Sequence, residues 1–143
     1  LKIAKIIETE AYIGPKDKAS HAHCGKTKRN EMMWDEPGKL YIYLIYGIHH
    51  CLNIVTEKEG FPAAVLIRKA KPIFGIEEEI SGPGKLCQVF GITKKDNGLD
   101  ITKSEEIFIK DINDRPKKIF STPRIGVDYA GKWSKKKLRF YVK

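Results

Sequence analysis

Short runs that alternate apolar and polar residues, separated by glycine and proline, dominate the chain. Residues 1–13 (LKIAKIIETEAYI) are rich in isoleucine and predict a strand that ends at a Gly-Pro pair. Residues 39–55 combine β-branched and aromatic side chains and predict a second strand, which Gly47 breaks or bends. Residues 59–72 predict a third strand that ends at Pro72. The pattern is that of a β-rich protein.

The sequence predicts only short helical segments. A Gly-Pro-Gly break precedes residues 85–92 (KLCQVFGI), which predict a short helix. Residues 16–39 are polar and predict an irregular or partly helical connection. Between residues 96 and 120, turn sequences alternate with strand candidates such as residues 105–112 (EEIFIKDI). No repeat, linker or low-complexity segment interrupts the chain, so we predict one mixed α/β, β-rich domain.

Length, apolar content and cysteine usage narrow the class of protein. A chain of 143 residues, 41% hydrophobic and 31% charged, can bury the core of one soluble domain. No apolar run approaches the ~20 residues that cross a bilayer, and no signal-peptide pattern is visible. We therefore expect an intracellular protein that does not enter the membrane. The 3 cysteines form no CxxC pair, which predicts reduced thiols and neither a disulfide framework nor a zinc ribbon.

An excess of basic side chains indicates a polyanionic partner. Lysine and arginine total 27 against 18 acidic residues, giving a net charge of +9. The closing segment, residues 131–143 (GKWSKKKLRFYVK), has no acidic residue and interleaves basic with aromatic side chains. Such a mixture suits a phosphate backbone, although a lysine-rich solvated surface is the alternative. The candidate backbone contacts are Lys26, Lys28, Arg29, Lys135 and Lys136.

Two carboxylates in the first predicted strand are candidates for acid–base chemistry. Glu8, Glu10 and Tyr12 would share one face of the strand, with successive members about 7 Å apart. One carboxylate could take a proton from water while the other orients its neighbours. The alternative is an edge strand whose charged face is solvated.

Histidine and cysteine are concentrated in two short segments, residues 20–25 (SHAHCG) and 47–51 (GIHHC). Imidazole and thiolate are zinc or iron ligands, so a metal site is one interpretation. The spacings match no closed zinc motif, and adjacent His49 and His50 would point to opposite faces of a strand. Hydrogen bonds to a base, a phosphate or a carbonyl explain the same residues, and we predict no metal.

The segment YIYLIYGIHHCLN carries its tyrosines on different sides. Tyr41, Tyr43 and Ile45 would share one face of the strand. A bend at Gly47 would place Tyr46 at an exposed tip, where it could act as a wedge between base pairs. Tyrosines packed at the rim of a core are the alternative.

Five segments in order resemble the alkyladenine (3-methyladenine, methylpurine) DNA glycosylase family. They are IIETEAYIGPKDKASH, PGKLYIYLIYGIHHCLN, LIRKAKP, GPGKLCQVFGI and RIGVDYAGKWSKKKLRFYV. The resemblance implies a curved, open-barrel-like antiparallel sheet with short surrounding helices. It also implies a monofunctional enzyme without cofactor that hydrolyses the glycosidic bond of 3-methyladenine, 7-methylguanine, hypoxanthine or ethenoadenine. Its partner would be double-stranded DNA with a damaged purine, and we expect a monomer.

The resemblance assigns the hydrolytic groups. Glu10 of ETEAY matches the family's general base, which activates the attacking water. Arg68 of LIRKA matches the arginine that helps to hold that water. Ile125 of RIG lies where a backbone carbonyl does the same.

The resemblance also assigns the groups that receive the flipped base. Tyr12 and Tyr43 match stacking walls of the pocket, and His21 matches a residue that hydrogen-bonds the base. Asn53 matches the asparagine that sorts purines by obstructing a guanine amino group. Tyr46 matches the tyrosine that enters the minor groove and fills the vacated space.

The chain departs from the family pattern at both ends. Family members carry further strands and a helix before the motif of Glu10, and they continue for a short segment beyond residue 143. His49 and His50 stand where relatives have aromatic or apolar residues. We therefore expect a single glycosylase domain, residues 1–143, without part of the family's N-terminal region and its extreme C-terminus. The alternatives are a catalytically inactive DNA-binding relative and, less favoured, a metal-dependent hydrolase.

Overall fold

An open, six-stranded antiparallel sheet forms the framework of the computed structural model, which describes all 143 residues. The strands are β1 (Ile3–Tyr12), β2 (Leu40–Ile45), β3 (His49–Val55), β4 (Ala64–Phe74), β5 (Phe120–Thr122) and β6 (Arg139–Tyr141). Their order across the sheet is β2-β3-β4-β1-β6-β5, so β2 and β5 are its edges. The predicted fold class, a β-rich mixed domain on a sheet that does not close, is confirmed.

Short helices surround the sheet. One α-helix, α1, spans Pro83–Phe90, and 3-10 helices span His21–Cys24, Glu31–Trp34, Lys94–Asp96 and Asp128–Lys135. The predicted helix is present, but it begins two residues earlier and ends two residues earlier than expected. Its first residue, Pro83, belongs to the expected break, because proline suits a first helical position. The helix ends before Gly91, which lies in the left-handed region (φ 70°). None of the helices has the length and apolar character required to span a membrane.

The two faces of the sheet bury different kinds of residue. The core face packs the aliphatic side chains of Leu40, Ile42, Leu52 and Ile67 against α1. The cavity face carries Tyr41, Val55 and Ala64, which pack against Ala22 and Met33 of two 3-10 helices. Strand pairing extends the cavity face, because Asn53 of β3 and Glu10 of β1 both lie opposite Leu66 of β4. The cavity face therefore gathers the polar residues of several strands.

The first strand is internal, so its charged face is not solvated. β1 pairs with β4 on one side and with β6 on the other. Glu8 is 6% exposed and Glu10 is fully buried. The interpretation of β1 as a solvated edge strand is therefore wrong, and both carboxylates need partners inside the protein.

Two other expectations about strands are wrong. Pro72 does not end β4; it lies opposite Ala4, beside an irregularity in register. Its missing N–H is tolerated because β3 pairs only with the first part of β4, up to Leu66. Residues 105–112 form no strand. Asp111 accepts a hydrogen bond from a backbone N–H two residues on, and such local bonds compete with strand pairing.

Candidate active site

A cavity of about 420 Å³ opens on the cavity face of the sheet. All eight residues predicted for catalysis, the base pocket and intercalation line it. They are Glu10, Tyr12, His21, Tyr43, Tyr46, Asn53, Arg68 and Ile125. These residues come from four strands, the turn between β2 and β3, a 3-10 helix and the segment before Asp128, so only the fold brings them together.

Glu10 is a buried carboxylate held on both oxygens. Its Oε1 accepts a hydrogen bond from the backbone N–H of Ile125 at 2.8 Å, and its Oε2 accepts one from the Tyr12 hydroxyl at 2.9 Å. Nη1 of Arg68 lies 3.6 Å from Oε1 and adds a positive charge. Two hydrogen bonds and one cation thus orient the carboxylate at the wall of the cavity.

Tyr12 keeps its proton and serves as a donor. Burial, and then the nearby Glu10 charge, raise the pKa of Tyr12 far above its ordinary value. The hydroxyl is therefore neutral across the physiological range and donates to Glu10. Tyr12 is both a wall of the cavity and a group that orients the carboxylate.

Glu8 anchors Arg68 in place. Its Oε1 accepts hydrogen bonds from Arg68 Nε at 3.1 Å and Arg139 Nη1 at 2.9 Å, and Lys69 Nζ lies 3.7 Å from Oε2. Burial by itself would raise the pKa of Glu8, but the hydrogen bond and charge of Arg139, with Lys69 and Arg68, outweigh it and lower the pKa. Glu8 is thus an ionised counter-ion, whereas Glu10 lines the cavity.

An aromatic cluster forms another wall of the cavity. The His21 ring lies edge-on to Tyr43 with centroids 4.5 Å apart, and Tyr41 and Tyr43 are 5.4 Å apart. Nδ1 of His21 is 2.8 Å from the Tyr41 hydroxyl. Tyr41 was predicted on this face, but its contact with the histidine was not foreseen.

His21 is neutral at physiological pH. Burial, and then the positive charge of Arg29, lower the pKa of His21 below its ordinary value. Burial raises the pKa of Tyr41 to about 12, so its hydroxyl stays protonated. When Tyr41 donates to Nδ1, the neutral imidazole carries its hydrogen on Nε2. That N–H can then serve a ligand as a donor.

Asn53 is buried and lines the cavity from β3. Its Nδ2 donates to the backbone carbonyl of Tyr41 at 3.2 Å. This bond fixes the plane of the amide against the neighbouring strand. A rigid side chain at this position can obstruct a ligand group without moving aside.

Tyr46 projects from the turn between β2 and β3. Tyr46 is 91% exposed. The predicted bend at Gly47 is confirmed, because β2 ends at Ile45 and β3 begins at His49. Tyr46 and Gly47 both lie in the left-handed region, at φ 52° and 69°, and the Ile48 N–H donates to the Ile45 carbonyl. Consecutive positive φ angles are typical of type I′ hairpin turns, where glycine is favoured at no steric cost. A tyrosine at the first of them is strained.

The predicted backbone contacts differ in placement. All are exposed, but only Arg29 lines the cavity, and its Nη2 donates to the carbonyl of Leu44 at 3.1 Å. Lys136 lies over the Trp133 ring at 5.4 Å. The five residues are Lys26, Lys28, Arg29, Lys135 and Lys136.

The histidine and cysteine segments do not assemble a metal site. No three His, Cys, Asp or Glu side chains come together as a ligand set. His23 Nδ1 pairs with the carbonyl of Pro15, and His49 packs beside Gly84 at the start of α1. His49 lies opposite Ile45 in the hairpin, beneath the turn of Tyr46. The alternative function, a metal-dependent hydrolase, is therefore not supported by any cluster of ligands.

A fully buried ion pair beside the cavity was not predicted. Arg124 Nη1 donates to Asp17 Oδ2 at 2.6 Å and Nη2 to Oδ1 at 2.8 Å, with both side chains inaccessible to solvent. Asp17 stands in a lysine-rich loop that resembles a solvated surface, and 107 positions separate it from Arg124. In the sequence, the one indication that Arg124 lies near the cavity is its position next to Ile125.

Comparisons with known proteins point to one family. A family model described as "Methylpurine-DNA glycosylase (MPG)" matches residues 2–143. A relative from Methanocella arvoryzae is 51% identical over 97% of this chain and 76% of its own length. One from Anaeromyxobacter dehalogenans strain 2CP-C is 48% identical, over 99% and 69%. One from Clostridium perfringens is 44% identical, over 97% and 79%. All three bear the name "Putative 3-methyladenine DNA glycosylase".

Proposed function

The chain belongs to the methylpurine-DNA glycosylase family, and from this premise we propose that it removes damaged purines from double-stranded DNA. The family resemblance read from the motifs is confirmed. The proposed reaction hydrolyses the bond between deoxyribose and base and leaves an abasic site, without a lyase step. The observation that carries the proposal is the buried, doubly hydrogen-bonded Glu10 at the wall of an aromatic cavity. Relatives' names point to 3-methyladenine; 7-methylguanine, hypoxanthine and ethenoadenine are the further proposed substrates.

The cavity suits a base that has left the duplex. Its volume of about 420 Å³ lies in the range of small-molecule sites. Extruding a base costs a few kcal/mol of stacking and pairing, and the rings of Tyr12 and Tyr43 can restore part of the stacking. An alkylated purine carries positive charge, which aromatic faces attract. Neutral His21 would donate a hydrogen bond from Nε2 to the base.

Glu10 would activate the attacking water. The water oxygen forms a bond to C1′ of the sugar, the C1′–N bond breaks, and the base leaves with the bonding electrons. A cationic alkylpurine thereby leaves as a neutral base, whereas hypoxanthine or ethenoadenine must also take up a proton to leave neutral. Glu10 takes a proton from the water, and its negative charge stabilises the oxocarbenium-like sugar. Arg68, held by Glu8 and 3.6 Å from Glu10, would help to hold the water, with the Ile125 backbone beside it.

Tyr46 would occupy the space that the base leaves. The turn presents its side chain almost fully to solvent at the edge of the cavity. An inserted ring partly unstacks the neighbouring base pairs but stabilises the extruded state. Basic residues around it, Arg29 among them, would contact phosphates. Asn53 would obstruct the amino group that distinguishes guanine.

The test is a single-turnover assay on duplexes that contain hypoxanthine or ethenoadenine. We expect Glu10→Gln to release base about 10²- to 10⁴-fold more slowly than wild type, the usual contribution of a general base. Glu105→Gln, which changes an exposed carboxylate outside the cavity, is the matched control and should react at the wild-type rate. Equal base release by wild type and Glu10→Gln would overturn the proposed mechanism and favour a DNA-binding relative without catalysis.

A further inference from the structure

We propose that Arg124, locked by Asp17, is a positioning residue for the Glu10 carboxylate, an inference that rests on the role proposed above for Glu10. Arg124 does not contact Glu10. It fixes both groups that donate hydrogen bonds to that carboxylate. The proposed role of Glu10 is thereby extended to a buried ion pair outside the reacting groups.

The ion pair is rigid because every contact is directional. The guanidinium of Arg124 and the carboxylate of Asp17 form two parallel hydrogen bonds at 2.6 and 2.8 Å. Asp17 also accepts hydrogen bonds from the backbone N–H groups of Ile13 and Ala19. Neither side chain is exposed, so solvent does not screen the charges. The arginine is thus tied to the loop that follows β1.

The first route from Arg124 to Glu10 runs through β1. Nη1 of Arg124 also donates to the carbonyl of Ala11 at 2.8 Å, between Glu10 and Tyr12 in sequence. The guanidinium carbon lies 4.7 Å from the centroid of the Tyr12 ring. One planar group thus holds the backbone and the ring of the residue whose hydroxyl donates to Glu10 Oε2.

The second route runs through the neighbouring peptide bond. Ile125 follows Arg124 in the chain, and its N–H donates to Glu10 Oε1 at 2.8 Å. Since that N–H belongs to the peptide bond joining the two residues, the clamp on Arg124 restricts where the N–H points. Both carboxylate oxygens of Glu10 therefore depend on one guanidinium.

The contacts of Arg124 serve its neighbours and leave one of its own donors without a partner. Its Nε is buried and has no hydrogen-bond acceptor. An unpaired buried donor is unfavourable, so the side chain is not placed to satisfy all its own donors. Its guanidinium instead lies where it can bind the Asp17 carboxylate and the Ala11 carbonyl and contact the Tyr12 ring. Lysine keeps the charge but forms neither the double hydrogen bond nor the flat contact with the ring.

The experiment compares Arg124→Lys with wild type in single-turnover base release and in binding to an abasic-site duplex. A displacement of about 1 Å in a catalytic group can cost about 10²-fold in rate, so we expect the maximal rate to fall about 10- to 100-fold. Duplex affinity should stay within about twofold, because Tyr43, Tyr46 and Asn53 lie on β2, the turn and β3. Asp17 retains its two backbone bonds in this variant, which preserves the loop leading to His21.

Two further variants separate positioning from general stability. Tyr12→Phe keeps the ring under the guanidinium but deletes the donor to Glu10, and it should also lower the rate without weakening duplex binding. Ile92→Ala opens a cavity in the core face, away from the site. Below its thermal midpoint it should release base at the wild-type rate, although its fold is less stable.

The outcomes distinguish this inference from the proposed function. If Glu10→Gln is fully active, both are overturned. If Glu10→Gln is inactive while Arg124→Lys and Tyr12→Phe react at the wild-type rate, only the positioning role is overturned. The same holds if Arg124→Lys loses rate and duplex affinity together, in proportion to its lowered thermal midpoint, because a purely structural role would produce that result.

Discussion

The two faces of the central sheet are built from the same strands but are held together by different forces. On the core face, Ile42, Leu52 and Ile67 pack against α1 and bury apolar surface. On the cavity face, the sheet places Glu10 of β1 and Asn53 of β3 beside tyrosines. Alternation along a strand sends neighbouring residues to opposite faces, so one sheet can carry an apolar core and a polar site within two residues of each other.

The difference shows what a buried polar face requires. A core face tolerates changes in shape as long as volume is filled, whereas each buried charge needs a partner of its own. Glu10 has a peptide N–H and a tyrosine, and Asp17, in the loop beside this face, has Arg124. The cavity face therefore depends on pairing, and a single lost partner should be more damaging there than a lost methyl group on the core face.

The largest expected effect on stability comes from breaking the buried ion pair. Asp17→Asn leaves Arg124 charged, buried and without a countercharge, and such changes typically cost about 3–5 kcal/mol in the free energy of unfolding. Ile42→Val, which removes one methylene from the core face, should cost about 0.5–1.5 kcal/mol. Chemical denaturation of the two variants measures both values. An Asp17→Asn loss no larger than that of Ile42→Val would refute the contrast between the faces.

A double variant sharpens this result. Arg124→Gln combined with Asp17→Asn removes both charges, so the loss should be smaller than the sum of the two single losses. The difference measures the coupling between the partners. Additive losses would mean that the two side chains stabilise the fold independently.

A smaller effect is expected at the turn that rises from the cavity face. Tyr46→Ala removes an exposed side chain without lost packing, so the free energy of unfolding should change by less than about 0.5 kcal/mol. Capture of an abasic-site duplex should weaken about tenfold or more, because the tyrosine would stack in the space of the missing base and base–aromatic stacking is worth about 1–3 kcal/mol. Fluorescence anisotropy with a labelled duplex measures the affinity.

The matched control is Ile73→Ala. Ile73 is 57% exposed and does not line the cavity, so its replacement should leave duplex affinity unchanged. If Tyr46→Ala binds the abasic duplex as wild type does, the intercalating role is wrong. If it unfolds, the turn contributes to stability in a way that its exposure does not indicate.

Local patterns predicted those parts of the fold that local physics determines. Alternation in residues 1–13 predicted β1, and Gly47 predicted the turn that exposes Tyr46, because strand periodicity and turn geometry depend on near neighbours. Pro72 was misread because its tolerance depends on which edge of β4 lacks a partner. Residues 105–112 had strand composition, but a segment forms a strand only where a neighbour is available for pairing.

The site was predictable by resemblance and much less so by physical reasoning alone. The acid–base pattern of Glu8 and Glu10 was visible, but their burial was not, because β6 covers β1 from more than 120 positions away in the chain. The contact of Tyr41 with His21 and the Asp17–Arg124 pair likewise join distant segments. Such contacts leave no periodicity in the sequence and follow only from the tertiary fold.

The smallest expected effect is the dependence on pH of the stability that Glu8 contributes. The folded pKa of Glu8 lies below its unfolded value of about 4.5, so the stability that Glu8 contributes is fully present above that pH and is lost as pH falls through the folded pKa. The difference in unfolding free energy between wild type and Glu8→Gln should therefore be constant above about pH 5.5 and shrink in more acidic solution. Ile42→Val changes no titratable group, so the difference between wild type and this variant should not change with pH, and urea titrations across this range measure both. A difference that stays constant for Glu8→Gln would mean that the three neighbouring cations do not lower the pKa of Glu8 in the folded protein.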